Sequence, residues 1–310
     1  MARTASCPAR PAPRQKKRQN AVENLKSYAL ISPYMLIFLT FSVLPVLVAI
    51  FFGFTYFNML EAPTFVGLDN YVRMFSTDDI FFTALKNTLL IAVVVGPGGY
   101  LLSLFFAWMI NELSDRLRPL VTFLFYVPSI SGNVYLMWTV LFGGDMYGYI
   151  NGFLLNLGAI NAPIVWLKNP NYMMGIVLLV SLWASLGTSF LTFVAGFKGI
   201  DRQYYEAGMM DGITNRWQEL WYITLPIMRP QMLFSAVMSI SGAFGVGAIS
   251  TALCGFPSTD YAVHTLMNHL TDYGGTRYEM GYACALATVL FLMMAGFNLL
   301  VQRLIAKVGE

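Results

Sequence analysis

The stretch MYGYINGFLLNLGAINAPIVWL, residues 146–167, decides how many times this chain crosses a membrane. It holds no charged residue and exceeds the roughly 20 residues that a helix needs to cover about 30 Å of hydrocarbon. Yet Gly148, Asn151, Gly152, Asn156, Gly158, Asn161 and Pro163 interrupt it, and lipid offers such groups no hydrogen-bonding partner. The stretch therefore reads as an external loop carrying a short interfacial helix, not as a span.

Outward from this loop lie six further uncharged runs longer than 20 residues, at 27–60, 87–111, 119–144, 169–197, 230–259 and 280–302. The composition agrees with a membrane as solvent: 57% of residues are hydrophobic and only 11% charged, against about 25% charged in an average soluble domain. Basic residues collect on the cytoplasmic side of membrane proteins. With six spans and the N-terminus inside, 15 of the 19 Lys and Arg residues fall on that side, and only Arg73, Lys86, Lys168 and Arg277 fall outside. A seventh span at 146–167 would lower the inside count to 11.

The expected fold is all-α and polytopic, with six transmembrane helices at roughly 29–56, 84–110, 119–142, 172–197, 230–252 and 279–302. A basic cytoplasmic tail occupies 1–27, the membrane domain 28–306, and a cytoplasmic C-terminus 307–310. The apolar stretch after the tail is too long for a signal-peptide core and lacks a clear cleavage site, so it reads as a retained first helix. Pro33 and Pro45 predict kinks in it. Gly96, Pro97, Gly98 and Gly99 in the second helix predict a kink or close packing.

Several function classes lose support. No span holds a charged residue that would bind a coupling ion, and His264 and His269 read as solvated residues of the external segment between the fifth and sixth helices. No phosphate-binding G-x-x-x-x-G-K-[ST] loop is present, so this chain cannot cradle ATP itself. No nucleophile triad, paired carboxylates or H-E-x-x-H motif can be assembled, so no enzyme activity, metal or cofactor of its own is expected. Cys7, Cys254 and Cys284 show no pairing or metal spacing. No nucleic-acid partner is expected.

The longest connection on the cytoplasmic side reads KGIDRQYYEAGMMDGITNRWQELWYITLPIMRP, residues 198–230. Asp201 can cap a helix over 202–211, Gly212 permits a sharp bend, and Thr214 or Asn215 can cap a second helix to about Tyr222, ended by Leu225-Pro226. Trp217, Leu220 and Trp221 share one apolar stripe suited to a membrane surface. Glu206, Ala207 and Gly208 form a small-residue surface that a partner's groove could accept. The bland alternative is a loop that simply contains interfacial helices.

The run E-A-G-M-M-D-G followed by I-T-L-P resembles the EAA signature of ABC importer permeases. FVGLDNY after helix 1, YVPSISGNVYLMWTVLF in helix 3 and YEMGYACALATVLFL in helix 6 are similar to the carbohydrate-uptake branch typified by maltose and glycerol-phosphate permeases. Two features depart from that pattern: the third EAA position is Gly208, and the spacing from Gly212 to Pro226 is one residue longer. A Gly-rich T-G-G-G-P run is replaced by Leu253, Cys254, Gly255, Phe256 and Pro257.

The resemblance implies the type I ABC importer fold and a bacterial inner-membrane subunit with both termini cytoplasmic. It implies a second homologous permease, two ATP-binding cassette subunits carrying ATP and Mg, and an extracytoplasmic solute-binding protein that delivers sugar. Residues implied for ATPase coupling are Glu206, Ala207, Gly208, Asp211, Gly212, Leu225 and Pro226. Carried onto the helices beside the loop, maltose-type substrate contacts fall at Ser181, Ser185 and Thr188 and at Ser241, Gly242 and Gly245, with Trp183 and Phe244 as candidate aromatic rings. Small Ser, Gly and Thr residues in membrane helices are more often packing contacts. Rival readings are a secondary carrier or channel acting without an ATPase, which would transport alone in vesicles, and a non-transporting scaffold.

Overall fold

The computed structural model describes residues 28–132 and 134–306. The expectations for the 1–27 tail, Asn133 and the 307–310 terminus lie outside the described residues. The chain divides into two compact units at Phe51 and Phe52.

The described residues of the first unit, 28–51, lie in helix α1, Tyr28–Phe52. It runs on where kinks were expected at Pro33 and Pro45, and local hydrogen bonding explains why. Pro33 has no N–H for the carbonyl of Ala29, and the Ser32 hydroxyl donates to that oxygen instead (2.9 Å). Before Pro45 the helix widens to a π-turn over Leu39–Val43, closed by Leu44 N–H donating to Leu39 O. The wider turn relieves the clash a proline ring makes with the carbonyl four residues back.

The second unit begins with a two-stranded antiparallel ribbon, β1 (Thr55–Tyr56) and β2 (Thr64–Phe65), with Thr55 opposite Phe65. Helix α2 (Asp69–Ser76) is tied to the ribbon through Asn70 Nδ2, which donates to the carbonyls of Gly53 and Thr55 (both 2.9 Å). Helix α3 (Asp79–Asn111) is unbroken for 33 residues with Pro97 inside. Helices α4 (Leu117–Ile130) and α5 (Met137–Leu141) make up the third apolar run, interrupted between them. A short helix α6 (Tyr149–Asn156) follows.

The fourth run is α7 (Pro170–Ala184) and α8 (Thr188–Lys198). The connection after it holds α9 (Arg202–Met210) and α10 (Arg216–Ile227), which meets α11 (Arg229–Phe244) at an angle of 82°. Then come α12 (Gly247–Cys254), α13 (Leu266–Thr271) and α14 (Met280–Ala306). Among the described residues four helices are long and apolar enough to cross a membrane, with α7 and α8 taken as one, or five if the bent pair counts as one span. The remaining apolar runs are the interrupted ones, because breaks after Ile130 and Phe244 leave no single helix of spanning length.

Residues 146–167 are held as a loop by one buried polar side chain. Asn151 is fully buried, and its Nδ2 donates to the carbonyls of Gly143, Asp145 and Ile164. Its Oδ1 accepts from Ile164 N (3.2 Å) and Trp166 Nε1 (2.8 Å). One asparagine thus pins both ends of the loop, a solution available to folded polar backbone but not to a helix facing lipid.

Helix α3 is the central post and packs on α8 and α11, with α14 packed on α11 and sharing buried clusters with α3. Its glycines set these approaches. A side chain at Gly99 would place Cβ 2.5 Å from Ser185 Oγ, and one at Gly98 would place it 2.8 Å from Leu182 Cδ2. The Gly96-to-Gly99 motif is therefore a packing surface within a continuous helix. Buried Ala107, Ile110, Phe190, Phe193, Phe197 and Met232 close the core at the 198–229 end.

Candidate translocation cavity and coupling loop

Three helix interruptions converge on one cavity of about 350 Å³. Helix α4 ends at Ile130, the α7–α8 run breaks at Ser185–Gly187, and the α11–α12 run breaks at Gly245–Val246. Hydroxyls of Ser129, Ser181, Ser185, Thr188, Ser239 and Ser241 line the space beside apolar Val95, Ala184, Met238, Val246 and Ile249, and no charged residue does. Irregular backbone at membrane depth persists where it is buried in protein or borders a wet cavity.

The sequence-derived candidates divide. Ser181, Ser185, Thr188, Ser241 and Gly242 all border this cavity. Ser181 Oγ is enclosed and has no partner among the described residues, so water or a bound solute is left to satisfy it. Ser185 Oγ donates to Leu182 O (2.6 Å). The two aromatic candidates do not join them. Trp183 lies in an apolar groove beside Leu182 and Leu186, edge-on to Trp138 at 5.6 Å. Phe244 is buried against Phe297 and, with Gly245, borders a separate pocket near Met267 and Leu290.

Sequence reasoning missed Ser129, Ser189 and Ser239. Ser189 Oγ bonds Ser235 O (3.0 Å) and Ser239 Oγ (2.9 Å), stitching α8 to α11 directly beside the cavity. The repeat of serines four residues apart, Ser185/Ser189 and Ser235/Ser239, was the available signal.

The 198–229 connection is a bent helical pair. Asp201 Oδ1 accepts from Gln203 N and caps α9, and Asn215 Oδ1 accepts from Trp217 N and caps α10. Between them Gly212 has φ +89°, a conformation that side-chain-bearing residues resist. Glu206, Ala207 and Asp211 are exposed. Gly208 is not part of that surface: it is buried with its Cα turned to Ile223, whose Cδ1 would lie 2.5 Å from an added Cβ. The third EAA position is glycine here because isoleucine fills the space of a methyl group.

Leu225-Pro226 does not end the second helix. The chain forms a π-turn over Leu220–Thr224 and stays helical to Ile227, turning only at Met228. The i→i+5 bonding shifts the register ahead of Pro226, so its missing N–H interrupts nothing. Leu225 is buried and Pro226 exposed. On α10, Leu220 is buried while Trp217 packs on Trp108 of α3 at 4.8 Å. Arg216 pairs with Glu219 (2.8 Å) and with Glu112 at the end of α3 (3.3 Å).

At the opposite end of α3 the two histidines, expected as solvated loop residues, are buried. His269 Nε2 donates to Asp78 Oδ2 (2.8 Å) and Tyr282 OH donates to the same oxygen (2.6 Å). The carboxylate must accept, which leaves His269 Nδ1 to accept from His264 Nε2 at 3.3 Å. Burial works to raise the Asp78 carboxyl, but the bonds from Tyr282 and His269 outweigh it and hold the group below its ordinary value. Burial, then the neighbouring His269, pushes His264 down to about 4. Asn87 Nδ2 also holds the carbonyl of His264 (2.9 Å).

Broken apolar helices around an uncharged hydroxyl cavity, joined to a rigid surface helix pair, define an integral membrane transport subunit. The chain belongs to the family of binding-protein-dependent transport system inner membrane components, whose model matches residues 99–309. It is the membrane-embedded permease part of an ABC importer and not its ATPase. It is 34% identical over 92% of its length to a probable ABC transporter permease, YesP, of Bacillus subtilis (strain 168), covering 92% of that protein. The arabinooligosaccharide permease AraP of the same organism is 28% identical, over 89% of this chain and 87% of its own. A bacterial ABC transporter that imports the acidic polysaccharide alginate shares the fold, with TM-score 0.75 and 22% identity over 95% of this chain and 100% of its own.

Proposed function

We propose that this chain forms half of the translocation pathway of an ATP-driven oligosaccharide importer in a bacterial inner membrane. It crosses the bilayer six times with both termini cytoplasmic. It pairs with a second homologous permease, and each of two ATP-binding cassette subunits, which hold the ATP and Mg, docks on a permease loop. An extracytoplasmic solute-binding protein delivers the sugar.

The observation that carries this reading is the cavity of hydroxyls at three helix breaks. A neutral polyhydroxy solute needs weak hydrogen bonds and apolar contact but no counter-charge, and serine and threonine hydroxyls set among Val95, Met238, Val246 and Ile249 match that need. The names of relatives point the same way, since AraP is an arabinooligosaccharide permease. Ser181, Ser185, Thr188, Ser241 and Gly242 meet the solute from this half, while Trp183, Phe244 and Gly245 support the cavity from neighbouring pockets. Glu206, Ala207 and Asp211 face the ATPase; Gly208, Gly212, Leu225 and Pro226 give the loop its bend and seat.

The test is purification of the tagged chain from its native membrane in mild detergent, with Glu206→Lys as the control. Recovery of a second permease and an ATPase, lost in the variant, is the expected result. A homo-oligomer without ATPase would overturn the reading and favour a solitary carrier.

A further inference from the structure

Between α3, α4, α8 and the 198–229 connection lie two spaces that share Arg118 and Lys198 as walls. One is a polar chamber of about 400 Å³, bordered also by Arg202, Tyr205, Arg216 and Glu219. The other is a groove of about 470 Å³ between α4 and α8, bordered by Pro119, Thr122, Phe123, Tyr126, Leu191 and Val194. From Pro119 to Tyr126 the groove follows α4 for about 10 Å at helical rise. A charged chamber thus opens into an apolar channel that leads away from it along the helices.

The charges in the chamber do not cancel. Arg216 is matched by Glu112 and Glu219, and Arg118 by Asp115 at 3.2 Å. Arg118 also donates from Nη2 to the carbonyls of Asn111 and Leu113 (both 2.9 Å), which fixes its position, yet its Nε is enclosed without a partner. Among the described residues neither Lys198 nor Arg202 makes an ion pair. Lys198 and Arg202 are left without a carboxylate partner, against one surplus carboxylate on Arg216, beside a space that continues into an apolar slot.

We propose that this slot binds one anionic phospholipid of the cytoplasmic leaflet, its phosphate at Lys198 and Arg202 and an acyl chain between α4 and α8. Phosphate accepts from several donors at once, and basic pockets between membrane helices on this side select such headgroups. Tyr205, Arg216 and Glu219 belong to the coupling loop. The lipid therefore braces that loop against the ends of α3 and α8, and loop movement depends on membrane charge. The proposal rests on the importer reading for its leaflet.

The test uses the assembled importer in nanodiscs of phosphatidylcholine with or without phosphatidylglycerol, with retained lipid counted by native mass spectrometry. Two unpaired cations predict a preference for phosphatidylglycerol of roughly tenfold or more, falling about fivefold in Lys198→Gln. Val194→Trp fills the groove with the cations intact and is expected to abolish retention. Inorganic phosphate alone should not displace the lipid. Equal retention of both lipids, full retention by Val194→Trp, displacement by phosphate, or a cross-link from position 194 to the partner permease would each overturn the proposal. Recovery of permease and ATPase, scored in the same preparations, reports folding of the variants and judges the importer reading separately.

Discussion

Gly99 and Ser185 offer a sharp test of how α3 holds the break that borders the cavity. In Gly99→Ala the new Cβ falls 2.5 Å from Ser185 Oγ and 2.8 Å from Ser185 Cβ, where carbon contacts become favourable only near 3.5–4.0 Å. The helices must part by about 1 Å or the Ser185–Gly187 break must shift. Overpacking of this kind costs ~1–3 kcal/mol, and the better helix propensity of alanine returns up to ~1 kcal/mol, leaving a net loss of ~1–2 kcal/mol. Ser185→Gly removes both clashing atoms and gives up the hydrogen bond to Leu182 O, which contributes about 1 kcal/mol. In the double variant the alanine methyl occupies the vacated space. Its thermal midpoint in detergent should match or exceed that of Ser185→Gly and stand above Gly99→Ala, a coupling of ~1–2 kcal/mol. A double variant as unstable as the sum of the singles would refute the packing argument. Sugar uptake on the same set separates geometry from chemistry. If the double variant recovers stability but not transport, the Ser185 hydroxyl itself meets the solute.

Gly212→Pro should insert and assemble but hydrolyse ATP without uptake, because proline cannot adopt the φ of +89° at the bend; normal uptake would show that the bend is dispensable. Trp217→Ala should cut uptake more than Glu112→Gln. The indole packs on Trp108, whereas the Glu112–Arg216 pair is largely solvated and such pairs contribute ~0–1 kcal/mol; equal defects in transport assays would contradict this ranking. Buried His264, held near 4, binds its proton less readily folded than unfolded. Stability should therefore fall as pH drops from about 6.5 towards 4, and His264→Phe should remove close to one proton from the pH dependence of unfolding.

What the sequence made legible was whatever depends on neighbours in the chain. The polar interruptions of 146–167, the caps Asp201 and Asn215, and the bend at Gly212 are local, and all appear as expected. What stayed hidden depends on distant partners. Nothing near His264 or His269 announces Asp78, which lies 191 residues before His269 yet accepts its hydrogen bond. Pro226 reads as a stop until the π-turn upstream is seen. Trp183 was the avoidable miss: two positions from both Ser181 and Ser185, it stands about 200° round an ideal helix and so on the opposite face.

The two ends of the coupling loop enter the two helices that flank the cavity. Helix α8 connects to α9 through the three-residue link Gly199–Asp201, extended at Asp201, and α10 turns into α11 at Met228. These helices are locked to each other by Ser189, Ser235 and Ser239 and by Met228 packed on Gly196. A push on the loop therefore moves α8 and α11 as one piece. The nearest points that can absorb the rotation are the breaks at Ser185–Gly187 and Gly245–Val246, both at the cavity. On the function proposed above, the hinges of the motion and the walls of the proposed solute site are then the same residues, so that a displacement at Glu206 alters the pathway without passing through a long chain of contacts. Spin labels at Val194 and Met238 should keep a constant separation through the ATP cycle, while labels at Leu178 and Val194, on either side of the first break, change theirs. A constant distance in both pairs would place the hinge elsewhere.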